Sequence, residues 1–380
     1  MATIKNILIL GYGNIGSLLA KILKKSNFKI FIIDNHLPDD IKFPHLELDI
    51  TEHNNQLKKY INTNNIDSII SCLPYNLNKT IALFCKKNHL NYFDLTEDIN
   101  TCKYIRNISK NSKYIFMPQN GLAPGLIGIL GNHLISECDN QHAEYLKLRV
   151  GALPENPIGS LGYACNWSID GLINEYIKPS EIIENHKICK VPSLERKELI
   201  KINGNNYEAF LTSGGLGTLV FSLQGKVKNL NYKTIRYLGH LNKIKFLFDE
   251  LKLRSKKKQL INILQKALPP DNNDRVLIHA SVLGKFNHKL KIKEIIADYH
   301  SRKLFNQHYT AIAWTTASSM AAIIELISKN ITKYQGFIEI NKIHLNDLLN
   351  TQSGKLLITN ELDRKSTRLN SSHSSVSRMP

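Results

Sequence analysis

The feature that most constrains this 380-residue chain is a glycine pattern with a fixed neighbourhood. Gly11-Tyr12-Gly13-Asn14-Ile15-Gly16 follows the apolar run Ile4–Leu10. It precedes Ser17–Lys25, where Leu18, Leu19, Ile22 and Leu23 share one helical face. Strand, tight turn and helix in that order bring backbone N–H groups and the positive helix end to one point, a site for phosphate. Gly11 permits the turn, Gly13 lets a pyrophosphate approach the backbone, and Gly16 lets the helix close on the strand. A second apolar run, Phe28–Ile33, ends at Asp34, near the ~20-residue spacing of a ribose-binding acid. A carboxylate there accepts from a ribose 2′-OH and repels a 2′-phosphate, and the neighbouring Asn35 supplies no cation. The pattern implies a Rossmann-type dinucleotide site that favours NAD, with NADP as the alternative. The candidate cofactor residues are Gly11, Tyr12, Gly13, Asn14, Ile15, Gly16 and Asp34. Asp49 and Ile50 join them after the third strand, and Ser71 and Leu73 at the end of the fourth.

Beyond the glycines the periodicity alternates. Residues 45–48, 68–73, 91–95 and 113–117 read as strands, and 56–62 and 80–87 as helices. That alternation predicts an α/β fold with a doubly wound parallel sheet. After about residue 140 the pattern changes. Residues 144–150, 186–191, 198–202 and 207–211 read as strands, and 275–284 with 289–299 as a long hairpin around Asn287. This predicts a second, α+β domain with a mixed or antiparallel sheet. The expected boundaries are 1–122 for the dinucleotide domain and 123–357 for a substrate and dimerisation domain. The helix 312–328 is apolar enough to dock back onto the first domain. Residues 363–380 have no hydrophobic period. They read as the in-frame translation of a sequencing adapter and stand outside the fold, which leaves the true C-terminus open.

Bulk properties narrow the classes. The net charge of +18 comes from lysine spread along the chain, without an Arg-rich stripe and interleaved aromatics, so nucleic acid is not an expected partner. No unbroken apolar run reaches the ~18 residues of a membrane span. The first strand leads into glycine rather than a cleavage site. No membrane partner and a cytoplasmic location are the expectations. The six cysteines lack CxxC spacing, so neither a metal site nor a disulfide framework is expected.

Several later segments follow in order: Ser71-Cys72-Leu73-Pro74-Tyr75, Tyr92-Phe93-Asp94-Leu95-Thr96, Asn120-Gly121-Leu122-Ala123-Pro124-Gly125 and Gly151-Ala152-Leu153-Pro154. Asn166-Trp167-Ser168 through Tyr176 and Thr234-Ile235-Arg236-Tyr237-Leu238-Gly239-His240 complete the set. The set resembles the saccharopine dehydrogenase family, over about residues 4–357. The resemblance implies an NAD(P)-dependent oxidoreductase acting on CH–NH donors of lysine metabolism. Saccharopine would yield glutamate and 2-aminoadipate semialdehyde, by hydride transfer and imine hydrolysis. The alternatives are an L-lysine 6-dehydrogenase, a reductase of polyamine-forming intermediates, or an NAD(H)-binding sensor without turnover. A small amino-acid substrate and a homodimer are the implied partners. Pro74, Tyr75, Asp94, Thr96, Asn166, Trp167 and Arg236 are the candidate substrate residues, with Arg236 suited to a carboxylate. Asp94 and His240 are the candidate acid–base groups, and His240 also suits a helix start. In one respect the sequence departs from the family. Fungal saccharopine reductases carry an Arg before the Arg236 segment, where Leu211–Thr218 here holds no cation. That puts the glutamyl half of saccharopine in doubt, although backbone N–H groups of a Gly-rich stretch can bind a carboxylate.

Overall fold

The computed structural model describes residues 4–51 and 54–358. The tail at 363–380 lies outside the described residues. The first part of the chain alternates β1 (Asn6–Leu10), α1 (Asn14–Lys25), β2 (Lys29–Asp34), β3 (His45–Glu47), α2 (Asn54–Thr63), β4 (Ser68–Ser71), α3 (Asn78–Lys87), β5 (Asn91–Asp94), α4 (Ile99–Ile108) and β6 (Ile115–Met117). The strands pair in parallel in the order β3-β2-β1-β4-β5-β6. The order reverses between β1 and β4, and a crevice therefore opens at the carboxyl ends of those two strands. The strands are apolar without interruption because both faces of the sheet are covered. Ile7 and Ile9 join one core with Leu18, Leu19 and Ile22 of α1. Leu8 and Leu10 join the other with Leu57, Ile81 and Ile105 of the opposite helices. Helix α4, unassigned from sequence, starts at Asp98, whose Oδ1 accepts the Thr101 N–H at 2.7 Å as an N-cap.

The chain continues through α5 (Leu126–Ser136), β7 (Ala143–Pro154), α6 (Ile169–Ile177), β8 (Ser180–Glu184), β9 (Lys187–Val191), β10 (Glu198–Ile202), β11 (Asn205–Leu211), α7 (Leu219–Ser222), β12 (Val227–Arg236), α8 (His240–Lys245), α9 (Lys257–Ala267), β13 (Asp274–Phe286), β14 (Lys289–His300), β15 (Arg302–Leu304), β16 (Gln307–Tyr309), α10 (Ala311–Lys329), β17 (Gly336–Phe337) and α11 (Leu345–Leu349). The second sheet runs β10-β11-β12-β7-β13-β14, with the β8–β9 hairpin joined to β12. β12 and β7 are parallel and their outer neighbours antiparallel, so the sheet is mixed. The β13–β14 hairpin turns at Asn287 and His288, both at positive φ. Leu146, Leu148, Val276 and Ile278 project from β7 and β13 into the core shared with α1 and α10. On the sheet's other side α6, α8 and α9 form a separate core around Tyr176, Leu264 and Ile235.

Helix α10 is apolar all round because it lies between α1 and β13. By length and composition it could cross a membrane, yet its residues 313–327 are buried inside the protein. Glu325 ties it in, accepting the Ser26 hydroxyl at the end of α1 at 2.6 Å and also the Ser353 hydroxyl. β17 then pairs in parallel with β6, so the C-terminal segment supplies the seventh strand of the dinucleotide sheet.

Candidate active site

The glycine loop is built for a phosphate. Gly16 is buried, and a Cβ there would sit 2.0 Å from the Gly11 carbonyl oxygen, so α1 can lie this close to β1 only with glycine. Gly13 is exposed, with nothing within 4 Å of where a Cβ would be. No side chain caps α1 at Gly13, its first turn holds no acid, and Lys24 and Lys25 sit in its last turn. Open N–H groups and the positive helix end therefore face the crevice. At the end of β2 the Asp34 carboxylate accepts the Tyr12 N–H at 2.5 Å and the His36 N–H at 3.2 Å. It stands directly against the glycine loop. The next charged side chains, Asp39 and Asp40, are also acidic. These residues fit a dinucleotide with a free ribose diol.

Three expected cofactor side chains are committed elsewhere. Asp49 caps its own turn through the Thr51 N–H at 2.9 Å and hydroxyl at 2.7 Å. Ile50 packs in the core with Leu48 and Leu57. The buried Ser71 hydroxyl donates to Asn78 Oδ1 at 2.6 Å. At the end of β4 the contact with the loop is made by Cys72 and Leu73. The Cys72 N–H donates to the Leu10 carbonyl at 2.8 Å, and Leu73 covers Gly11.

Four expected substrate or acid–base residues also turn out to hold the fold. Asp94 is fully buried, and it accepts the Tyr92 hydroxyl at 2.7 Å, the Thr96 N–H at 2.9 Å and the Gln119 N–H at 3.0 Å. Burial raises its carboxyl to about 6 against those hydrogen bonds. Thr96 is buried in the same turn and accepts the Asp98 N–H at 3.2 Å. Asn166 clamps the Asp271 backbone, donating to its carbonyl at 2.7 Å and accepting its N–H at 2.8 Å. His240 begins α8 with both ring nitrogens engaged, Nδ1 with the Leu161 carbonyl at 2.8 Å and Nε2 with the Tyr176 hydroxyl at 3.0 Å. Burial and the Arg236 charge push it down to about 3, so the ring stays neutral near pH 7 and is no proton shuttle there.

The remaining candidates fall into two groups, Tyr75 with Lys178 and Lys257, and Arg236 with Trp167 through Tyr163. Pro74 starts a short 3-10 turn beyond β4 that presents Tyr75. The Lys178 ammonium lies 5.5 Å from the Tyr75 ring centre and pairs with Asp98 at 2.5 Å. Lys257 pairs with Asp170 at 2.7 Å and lies beside Tyr75. Arg236 ends β12, buried, with Nε donating to the Tyr176 hydroxyl at 3.1 Å and the guanidinium 4.3 Å from the Tyr163 ring centre. Burial disfavours its charge, but Tyr163, Tyr176 and Glu175 more than offset this and keep it cationic. Trp167 is half-buried, donates to the Tyr163 hydroxyl at 3.2 Å and lies on Gly171 of α6. The glycines at 214–217 serve close packing. A Cβ on Gly214, at φ +90, would lie 2.6 Å from the Glu97 carbonyl oxygen.

Two acids beside these groups were not singled out from sequence. Glu97 lies three residues past β5, in the loop where Asp94 had drawn attention, and Glu175 faces Arg236 from α6. Burial pushes Glu97 up to about 7, with Asp98 and Asp94 adding to the effect. Burial pushes Glu175 up to about 8, with Glu97 adding and Arg236 opposing. Lone acids in a loop and a helix carry no sequence pattern. Only the approach of α6 to the β5 loop makes them a pair.

Comparisons with known proteins agree with this architecture. Residues 7–117 match the family model described as the saccharopine dehydrogenase NADP binding domain, and residues 121–353 that of the saccharopine dehydrogenase C-terminal domain. Among solved structures, the apo L-Glu-forming saccharopine dehydrogenase from Saccharomyces cerevisiae is similar, with a TM-score of 0.70 at 15% identity over 91% of this chain and 97% of that one. A homospermidine synthase from Legionella pneumophila, solved with NAD, is similar with a TM-score of 0.63 at 13% identity over 93% of this chain and 89% of that one. At these identities the two structures speak for the fold.

Proposed function

Because the chain belongs to the saccharopine dehydrogenase family, with its NAD(P)-binding oxidoreductase fold, we propose that it oxidises the C–N bond of a lysine-derived amino acid with NAD. The observation that carries this reading is the placement of the site residues. The phosphate-binding loop and Asp34 lie at the carboxyl ends of β1 and β2, Tyr75 and Glu97 follow β4 and β5 at the same edge, and Glu97 rests on α6, the helix that carries Glu175. When bound, the nicotinamide accepts a hydride from the carbon that bears the nitrogen. The chain's residues do the rest. The N–H groups at the start of α1 hold the pyrophosphate, and Asp34 accepts from the ribose. Arg236 sets a fixed positive charge in the wall, and Lys178 and Lys257 flank Tyr75 at the rim. Lys178 and Lys257 already pair with Asp98 and Asp170, so Arg236 is the cation proposed for a substrate carboxylate.

A second reading has its own support. Residues 211–218 pack on Glu97 and Tyr232 and bring no cation, which favours a substrate with fewer carboxylates, an L-lysine 6-dehydrogenase. The test is to mix the protein and NAD⁺ with saccharopine or with lysine and follow reduced nicotinamide by absorbance. Turnover of saccharopine supports the first reading. Turnover of lysine alone replaces it with the second, and NAD binding without turnover of any lysine-derived amine refutes both.

A further inference from the structure

Helix α6 brings its Gly171 against the loop that follows β5. A Cβ on Gly171 would lie 3.2 Å from Glu97 Oε1, so the Glu97 carboxylate rests on this helix. Glu175 is one turn further on, at the i+4 position, and so shares that face. The segment 213–214 touches both acids. The Ser213 N–H donates to the Glu175 carbonyl at 3.0 Å, and Gly214 lies on the Glu97 carbonyl. The Glu97 carboxyl thus lies on the α6 face that carries Glu175, and Glu175 in turn feels the Arg236 charge.

We propose that Glu97 and Glu175 are a proton-exchange pair, one carboxylate ionised and the other protonated, that serves the nitrogen and the water of the reaction. This role rests on the amine-oxidising reading above. Two like charges on one buried helix face resist ionising together. With Glu97 near 7 and Glu175 near 8, the pair holds between one and two protons at neutral pH, with Glu175 the more protonated.

The ionised Glu97 takes a proton from the substrate ammonium, which frees the nitrogen lone pair, and then releases it to solvent. Two electrons leave the carbon as hydride to oxidised nicotinamide, and a C=N iminium remains. Water adds to its carbon, forming a C–O bond, and Glu97 takes the water's proton. Glu97 returns that proton to nitrogen, then takes the hydroxyl proton as the C–N bond breaks and C=O forms. Glu175 protonates the departing amine, and a proton passed from Glu97 to Glu175 restores the pair. The net release is one proton per turnover.

Other charged groups face the pair. Asp94, Asp98 and Lys178 act on Glu97, and Arg236, Tyr176, Tyr232 and Cys165 act on Glu175. Of these, Asp94 also titrates near neutrality, at about 6, but it is sealed beneath the loop. Asp94→Asn is therefore an assignment control.

The experiment is a pH titration of the whole protein labelled with ¹³C-carboxyl glutamate and aspartate, followed by NMR, with Glu97→Gln and Glu175→Gln alongside. Two glutamate resonances should titrate between pH 6 and 9. Each should be lost in its own variant, and in Glu97→Gln the Glu175 titration should move to lower pH because a neighbouring negative charge is gone. Full ionisation of both acids below pH 5 overturns the pair. With the amine that the wild type oxidises, Glu97→Gln should lower kcat by ~100-fold or more, with the Kd for NADH unchanged by fluorescence and partial recovery in Glu97→Asp. An unchanged kcat and pH profile in Glu97→Gln overturns the proton role even if the pair titrates as stated. A wild type that oxidises no amine refutes the functional reading and the role with it. The titration then still shows separately whether the pair exists.

Discussion

Alanine at Gly13 and alanine at Gly16 should separate cofactor binding from folding, although only two residues part them. At Gly16 the new Cβ would fall 2.0 Å from the Gly11 carbonyl oxygen, where real Cβ atoms stay beyond 3.0 Å. The obstacle is backbone on a buried strand end, so α1 must lift by about an ångström. Forcing extra atoms into a packed site costs ~1–3 kcal/mol, and a rigid obstacle belongs at the upper end. At about 1.3 °C per kcal/mol for a chain of this length, Gly16→Ala should lower Tm by ~4 °C. At Gly13 nothing lies within 4 Å, and φ is −70, which any residue adopts. Alanine there reduces the freedom of the unfolded chain by ~0.4–1 kcal/mol but is a poorer N-cap, and the two effects nearly cancel. Tm should stay within ~2 °C. The added methyl instead occupies the space where the pyrophosphate meets the backbone. NADH binding should weaken at least ~10-fold, equivalent to about 1.4 kcal/mol. Thermal unfolding by circular dichroism and titration of NADH fluorescence read the two effects. A Gly13→Ala protein with unchanged NADH affinity would refute the phosphate role of this loop, and a Gly16→Ala protein as stable as the wild type would refute the packing argument.

Asp34→Ala should weaken NAD binding and relax discrimination against NADP; a wild type that already prefers NADP would show that Asp34 is misassigned. His240 should give no imidazole titration between pH 5 and 8 by ¹⁵N NMR. Because its folded value, about 3, lies below the ordinary 6.5, its contribution to stability fades as pH falls below 6.5. Glu198 contributes on the acid side. Burial alone would raise its carboxyl, but Arg149 and Lys233 hold it at about 2. That stability is present above the unfolded value of 4.5 and disappears as pH falls from ~5 to 2, roughly 3 kcal/mol in all. Glu198→Gln should flatten this acid limb in chemical denaturation series. It should also destabilise the protein at pH 7, because the buried Arg149 loses its partner.

The dinucleotide half of the molecule was legible in the sequence because its signals are local. Strand, glycine turn, helix and acid lie within Ile4–Asp34, and each follows from backbone sterics or from burial on both faces of a sheet. The β13–β14 hairpin and helix α10 were legible for the same reason, each carrying its own periodicity. The ordered motifs beyond residue 70 pointed to the right family. The roles of individual side chains were a different matter. Asp94, Thr96, Asn166 and His240 are of the right types for catalysis, but their hydrogen bonds turn them into the fold. Their partners, among them Gln119, Asp271 and Leu161, lie up to 105 residues away in the chain. Conversely, Glu97 and Glu175 are ordinary acids until α6 closes over the β5 loop. Whether a side chain is spent on structure or left for chemistry depends on what surrounds it in space. Short-range pattern therefore determined the strand, glycine turn and helix of Gly11–Gly16 within a dinucleotide-binding domain, and only the docking of the second sheet's helices decided which acids stand together on α6.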